Sequence, residues 1–245
     1  MSDFRYYRPN NFPPIVKNLI IINILVWVAQ QMLDPKYHIT EKIALYPIMP
    51  AALRDIVLRS RGLEDYYGFH PFQIATHMFA HGPIFHILFN MFVLWMFGKI
   101  LENVWGAKRF LLFYLVCGIG AAACHLIIQY FRCQELLHVI QANPDDPRIS
   151  GLLGALSTAV GASGAIMGVM VAFAYLFPNT ELYIMFIPIP VKAKWAVMAM
   201  AAIDLFGGVA NFSGDNIAHF AHVGGAITGF ILVWFWNRTN RRTFY

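Results

Sequence analysis

Ile217-Ala-His219-Phe-Ala-His222-Val-Gly-Gly225-Ala-Ile-Thr-Gly229-Phe-Ile-Leu-Val-Trp-Phe-Trp236 holds no Asp, Glu, Lys or Arg. As a helix, a stretch of this length rises ~30 Å, the thickness of a bilayer's hydrocarbon core. Its only ionisable groups are two histidines near its start. Gly225 and Gly229 form a GxxxG pattern, which lets a second helix pack at close range. The stretch therefore reads as a membrane span with polar groups at one end and a helix-packing face below them.

Five further segments repeat the apolar pattern. With the first, the expected spans are 15–33, 83–101, 110–131, 161–177, 195–209 and 217–236. The fourth and fifth are short, as expected of helices that begin or end inside protein or beside a water-lined cavity. The whole 245-residue chain agrees: 58% of residues are hydrophobic and only 13% charged. A soluble domain carries about 25% charge. Polar residues are too few to coat a water-soluble globule. The expected fold is an all-α, polytopic membrane bundle of six helices, forming one membrane domain over 1–245. The lipid bilayer is its first partner.

The formal charge of +5 comes from 18 Lys and Arg against 13 Asp and Glu. Basic runs with interleaved aromatics are absent, so no nucleic-acid partner is expected. Cys117, Cys124 and Cys133 form no CxxC pair and read as buried thiols. The apolar stretch of the first span is too long for a cleavable signal peptide, and the Asp3-containing N-terminus does not resemble a mitochondrial transit peptide. Loop cations favour both termini inside. Arg5, Arg8, Lys17, Lys99, Lys108, Arg109, Lys192, Lys194, Arg238, Arg241 and Arg242 then lie on the inner side. The expected location is a cell (inner or plasma) membrane with cytoplasmic termini. Segment 34–82 reads as a long outer loop with amphipathic stretches. Segment 132–160 reads as a second outer segment, with a turn at Asn143–Pro147 and an apolar end, 152–160, that re-enters the membrane.

Polar residues within spans are expensive and mark function. His86 and Asn90 lie near the start of span two, Ser163 at the start of span four, and His219 and His222 near the start of span six. These three spans run in the same direction, so their first turns share one membrane level. Ser163 sits in Gly161-Ala-Ser-Gly164, where small neighbours bare the hydroxyl. Serine needs a base to attack a carbonyl, and His222 is the candidate. His86 and Asn90, four residues apart, share a helix face and can donate to an oxyanion, as can the Ser163 N–H. The set describes an acyl-transfer site, with no carboxylate obviously placed to complete a triad. A base imidazole must be neutral, so activity is expected to fall below about pH 6.5.

At these residues the chain resembles the rhomboid intramembrane serine proteases. Gly161-Ala-Ser-Gly164 is similar to that family's GxSG motif, and Ala221-His-Val-Gly-Gly225 to its AHxxG motif. His86-Ile-Leu-Phe-Asn90 is similar to its HxxxN pair, and Gly98, Glu102, Gly106 and Arg109 to GxxxExxxGxxR. The resemblance implies a Ser163–His222 dyad, an oxyanion hole at His86 and Asn90, transmembrane protein substrates, and neither cofactor nor metal. Two positions depart from the pattern. His70-Pro-Phe-Gln73 stands where the family often has Trp-Arg, and Met167 stands where many members have an aromatic.

Alternatives stay open. A silent relative would bind transmembrane segments without cleaving them. A metal protein would use His77, His81, His86, His219 and His222, although HExxH is missing. An aspartyl enzyme would use Asp204 and Asp215. His77 and His81 read as organisers of the junction into span two, and Glu102 with Arg109 as a structural pair.

Overall fold

The computed structural model describes residues 9–61, 68–183, 189–210 and 218–239. Asp3, Arg5, Arg8, Asp215, Arg241 and Arg242, and the first residue of the expected sixth span, lie outside them.

Among the described residues, five helices are long and apolar enough to cross a bilayer: α1 (Pro14–Tyr37), the continuous run Ile84–Trp105, α7 (Ala107–Ala142), α10 (Ala193–Ala210) and α11 (His219–Thr239). The run Ile84–Trp105 consists of α5 (Ile84–Val93), a π-helical turn over Leu94–Gly98, and α6 (Lys99–Trp105). A sixth apolar helix, α9 (Ser163–Leu176), has only 14 residues. It is the centre of the bundle. Gly164 through Met170 and Ala172 through Ala174 are all buried, so α9 is apolar all round because protein surrounds it. The outer helices instead expose Leu25, Phe85, Ile119, Ile203 and Phe235 outward, as lipid-facing helices do.

Small residues let the helices meet α9 closely. A Cβ at Gly229 of α11 would come within 2.6 Å of the Gly168 backbone, and one at Gly168 within 2.5 Å of Cys117 Sγ on α7. The expected GxxxG packing of span six on span four is therefore present. At the opposite end from Ser163, Trp105, Phe113 and Trp236 form one aromatic cluster. Glu102 there accepts the Ile15 and Val16 N–H groups at 2.9 and 2.8 Å. It caps α1, which opens with Pro14 and has no acid in its own first turn. Arg109 lies over the Trp236 ring at 4.3 Å.

Four differences from the sequence reading have physical causes. Span three runs on to Ala142, absorbing 132–142 of the expected outer segment. Its extension packs Cys133 and Leu136 against Leu53 and Val57 of α3 (Ala51–Arg61), so a protein surface replaces lipid there. Span five is not short, since it fills 193–210. Segment 152–160 closes α8 (Arg148–Ala155) and then forms an antiparallel bridge, Leu45 with Ala159, rather than entering as an apolar helix. A two-stranded antiparallel pair, β1 (Glu181–Tyr183) with β2 (Pro190–Lys192), joins α9 to α10. The other elements of the long loop are α2 (Ile39–Ile43), α4 (Gln73–Thr76) and a 3₁₀ turn at His77–Phe79.

Candidate active site

Ser163 is the first residue of α9, and the chain reaches it through Gly161 at φ 118°. L side chains rarely adopt that φ, and a Cβ there would also come within 2.8 Å of His86 Nε2. Glycine is thus needed both to turn the chain and to leave room for the imidazole. Two histidines hold this turn from below. The His77 carbonyl accepts the Gly161 N–H at 2.9 Å, and His81 Nε2 accepts the Ala162 N–H at 3.5 Å. Burial lowers the pKa of His77, and that of His81 to about 4, so both rings are neutral. Their expected role at the junction fits these bonds. Gln30 and Trp27 of α1 grip the same loop: Gln30 bonds both the His81 N–H and its carbonyl, and Trp27 Nε1 donates to the Gly82 carbonyl.

The Ser163 hydroxyl meets His222 Nε2 at 2.8 Å. The two residues come from helices packed through glycines, which brings an imidazole of α11 over the end of α9. Across the same space stand His86 and Asn90 of α5. The Gly82 N–H donates to His86 Nδ1 at 3.3 Å, which leaves the proton of the neutral ring on Nε2, the nitrogen beside Gly161. Asn90 Nδ2 is buried and has no hydrogen-bond partner among the described residues. A buried donor without an acceptor is costly and usually has a functional reason. Here it borders, with Ser163 and His222, a cavity of about 580 Å³ that is also lined by Phe85, Phe89 and Val160. A second cavity of about 400 Å³, lined by Met167, Met170 and Met200, opens on the other side of the same residues. Ser163, His222, His86 and Asn90 are thus brought together, as expected from their shared level.

The expectation that no carboxylate joins this group is corrected. Asp204, in the second half of α10, accepts from His222 Nδ1 at 2.9 Å and from His219 Nδ1 at 2.8 Å, both on Oδ1. In the sequence Asp204 and Asp215 flank the end of span five, and they read only as an aspartyl alternative. Asp204 lies inside the helix, six residues before its end at Ala210, where it is buried and faces α11. An isolated acid in an otherwise apolar span was the available signal.

Other buried polar residues of the spans, Asn23, Gln30, His125 and Gln129, were not singled out from sequence. The first bonds its own helix, and the last two tie α7 to Ser157. Of the five histidines of the metal alternative, His77, His81 and His86 bond backbone groups, while His219 and His222 share Asp204; among the described residues no three His, Cys, Asp or Glu side chains are grouped to hold a metal ion.

A family model described as Rhomboid domain matches residues 69–239. Rhomboid protein 1, mitochondrial, of Saccharomyces cerevisiae is 27% identical over 173 residues, covering 71% of this chain and 44% of that protein. Presenilin-associated rhomboid-like protein, mitochondrial, of Homo sapiens is 28% identical over 166 residues, covering 67% and 36%. Rhomboid-like protein 11, chloroplastic, of Arabidopsis thaliana is 26% identical over 192 residues, covering 74% and 60%. The chain spans less than half the length of the first two. These names overturn the expectation of a cell (inner or plasma) membrane with cytoplasmic termini. Counting loop cations reads which side of a membrane a loop occupies, and not which membrane it is. With the matched model covering well over half of its length, this chain belongs to the rhomboid family.

Proposed function

We propose that this chain is an intramembrane serine endopeptidase that cleaves transmembrane segments of membrane proteins. The observation that carries the reading is the 2.8 Å contact between Ser163 Oγ and His222 Nε2 at the half-buried start of α9, open to a cavity. Ser163 attacks the scissile carbonyl while His222 Nε2 takes the hydroxyl proton. The tetrahedral oxyanion accepts from His86 Nε2, Asn90 Nδ2 and the Ser163 N–H, whose position at a helix N-terminus adds the helix dipole. The His222 imidazolium then protonates the leaving amine. Water, deprotonated by His222, hydrolyses the acyl-enzyme. The substrate amide must leave its own helix first, because a helical carbonyl is already bonded and shielded.

The test is cleavage of a reporter transmembrane protein by the purified chain, alongside Ser163→Ala and His222→Ala, with a fluorophosphonate probe reporting on Ser163. Both variants are expected to lose cleavage and labelling. Full cleavage by Ser163→Ala overturns the reading. A folded chain that neither labels nor cleaves is instead a silent member of the family.

A further inference from the structure

We infer that Asp204 and His219 act as positioning residues for His222, so that the serine and its base work as a Ser–His–Asp unit; this rests on the protease reading. Asp204 stands in a helix that is apolar from Trp195 to Ala210 and carries no other charge in that stretch. An ionised carboxylate in such a span is costly and is retained only with partners. Its partners are two imidazoles three residues apart on α11, which puts both on one face of that helix.

The contact is built from both sides. Gly207 and Gly208 follow Asp204 by one turn. A Cβ at Gly207 would come within 2.7 Å of the His219 ring, and one at Gly208 within 2.9 Å of the Phe220 ring. Glycine at these positions lets α11 lay His219 against α10, which in turn brings His222 Nδ1 to the carboxylate.

The arrangement has a chemical consequence. A carboxylate only accepts, so His222 must hold its proton on Nδ1 when it bonds Asp204. That leaves the Nε2 lone pair for the Ser163 hydroxyl, the one tautomer that can act as base. When the proton moves to Nε2, the positive ring faces a negative partner across 2.9 Å in a medium of low polarity. The second donor, His219, fixes the carboxylate so that Oδ1 stays on the His222 side.

The test uses the full-length chain in detergent or vesicles. Asp204→Asn keeps shape and a hydrogen-bonding oxygen but can present an N–H to Nδ1 and stabilise the wrong tautomer. Its kcat is expected to fall by up to about 10⁴-fold, the loss seen for the equivalent change in a soluble triad. KM and melting temperature should stay near those of the unaltered chain. Asp204→Glu restores part of the loss, and His219→Ala lowers kcat by a smaller factor than Asp204→Asn. A second measurement needs no activity: NMR of ¹⁵N-histidine-labelled protein should show the His222 proton on Nδ1, and on Nε2 once Asp204 is changed to Ala. Wild-type kcat in Asp204→Asn, or an Nε2-protonated His222 in the unaltered chain, overturns the inference. Failure of the protease reading looks different, since the unaltered chain itself would then neither label nor cleave.

Discussion

Asn90 Nδ2 is a buried donor with no acceptor among the described residues, and His86 Nε2, the nitrogen left with the ring proton, lies with it beside Gly161. An oxyanion would satisfy both. Removing one such donor costs ~10²–10³ in rate in a comparable soluble enzyme. Asn90→Ala is therefore expected to lower kcat by about that factor while leaving the fold intact, as read by melting temperature and fluorophosphonate labelling stoichiometry. Near-normal turnover would reduce Asn90 to packing. His81 makes a different prediction, about stability. Its Nδ1 lies 3.3 Å from the Phe79 carbonyl and its Nε2 accepts from Ala162, an arrangement only the neutral ring can make. Burial, then the neighbouring His86, lowers its pKa from 6.5 to about 4. Between these values the unfolded chain binds a proton that the folded chain does not, so stability rises with pH across that window and is lost as pH falls through it. The contribution is of order 3 kcal/mol, fully present above about pH 6.5. Melting curves from pH 7 to 4.5 should decline more steeply for the unaltered chain than for His81→Gln; parallel declines would remove His81 as a cause.

At the scale of elements, the site depends on how closely α11 lies on α9. A Cβ at Gly225 would collide with the Gly164 carbonyl, which belongs to the residue after Ser163. Neither partner has a flexible side chain there that could move away. Gly225→Ala must therefore push the two helices apart where the imidazole meets the hydroxyl. Overpacking of this kind costs about 1–3 kcal/mol. The expected outcome is a lower melting temperature together with a loss of fluorophosphonate labelling larger than the unfolded fraction explains. Ala at Gly151, where a Cβ meets nothing within 4 Å, serves as the control and should leave both unchanged. Labelling retained in full by Gly225→Ala would mean that the dyad tolerates a wider helix separation than the packing implies.

Across the whole molecule, what the sequence disclosed follows from how scarce charge is in the chain. Ser163, His86, Asn90 and His222 stood out because apolar residues surround them, and equal direction of alternate spans put them at one level. Asp204 stood out too, but its pairing with His219 and His222 did not. Which neighbour it faces depends on how α10 and α11 are rotated against each other, and hydropathy does not report rotation. The continuation of α7 past Phe131 was hidden for a similar reason: polar residues such as Gln134 and Glu135 read as loop, although the helix merely leaves lipid for contact with α3. On the protease reading, the shared level also limits where a substrate can be cut. Ser163 begins its helix, and the Trp105–Trp236 cluster closes the other end of the bundle. A substrate helix lying against the bundle can therefore meet the serine only with residues near its own end on the Ser163 side. Moving the scissile bond seven residues deeper displaces it by ~10 Å at 1.5 Å per residue. A reporter series with the cleavage sequence stepped along the span should be cut at the shallow positions and spared at the deep one. A Gly or Pro pair beside the shallow site should raise the rate, because it frees the carbonyl from its helix. Equal cleavage at every depth would mean that substrates leave the membrane before they are cut, and that the cavity beside Ser163 is not their route to it.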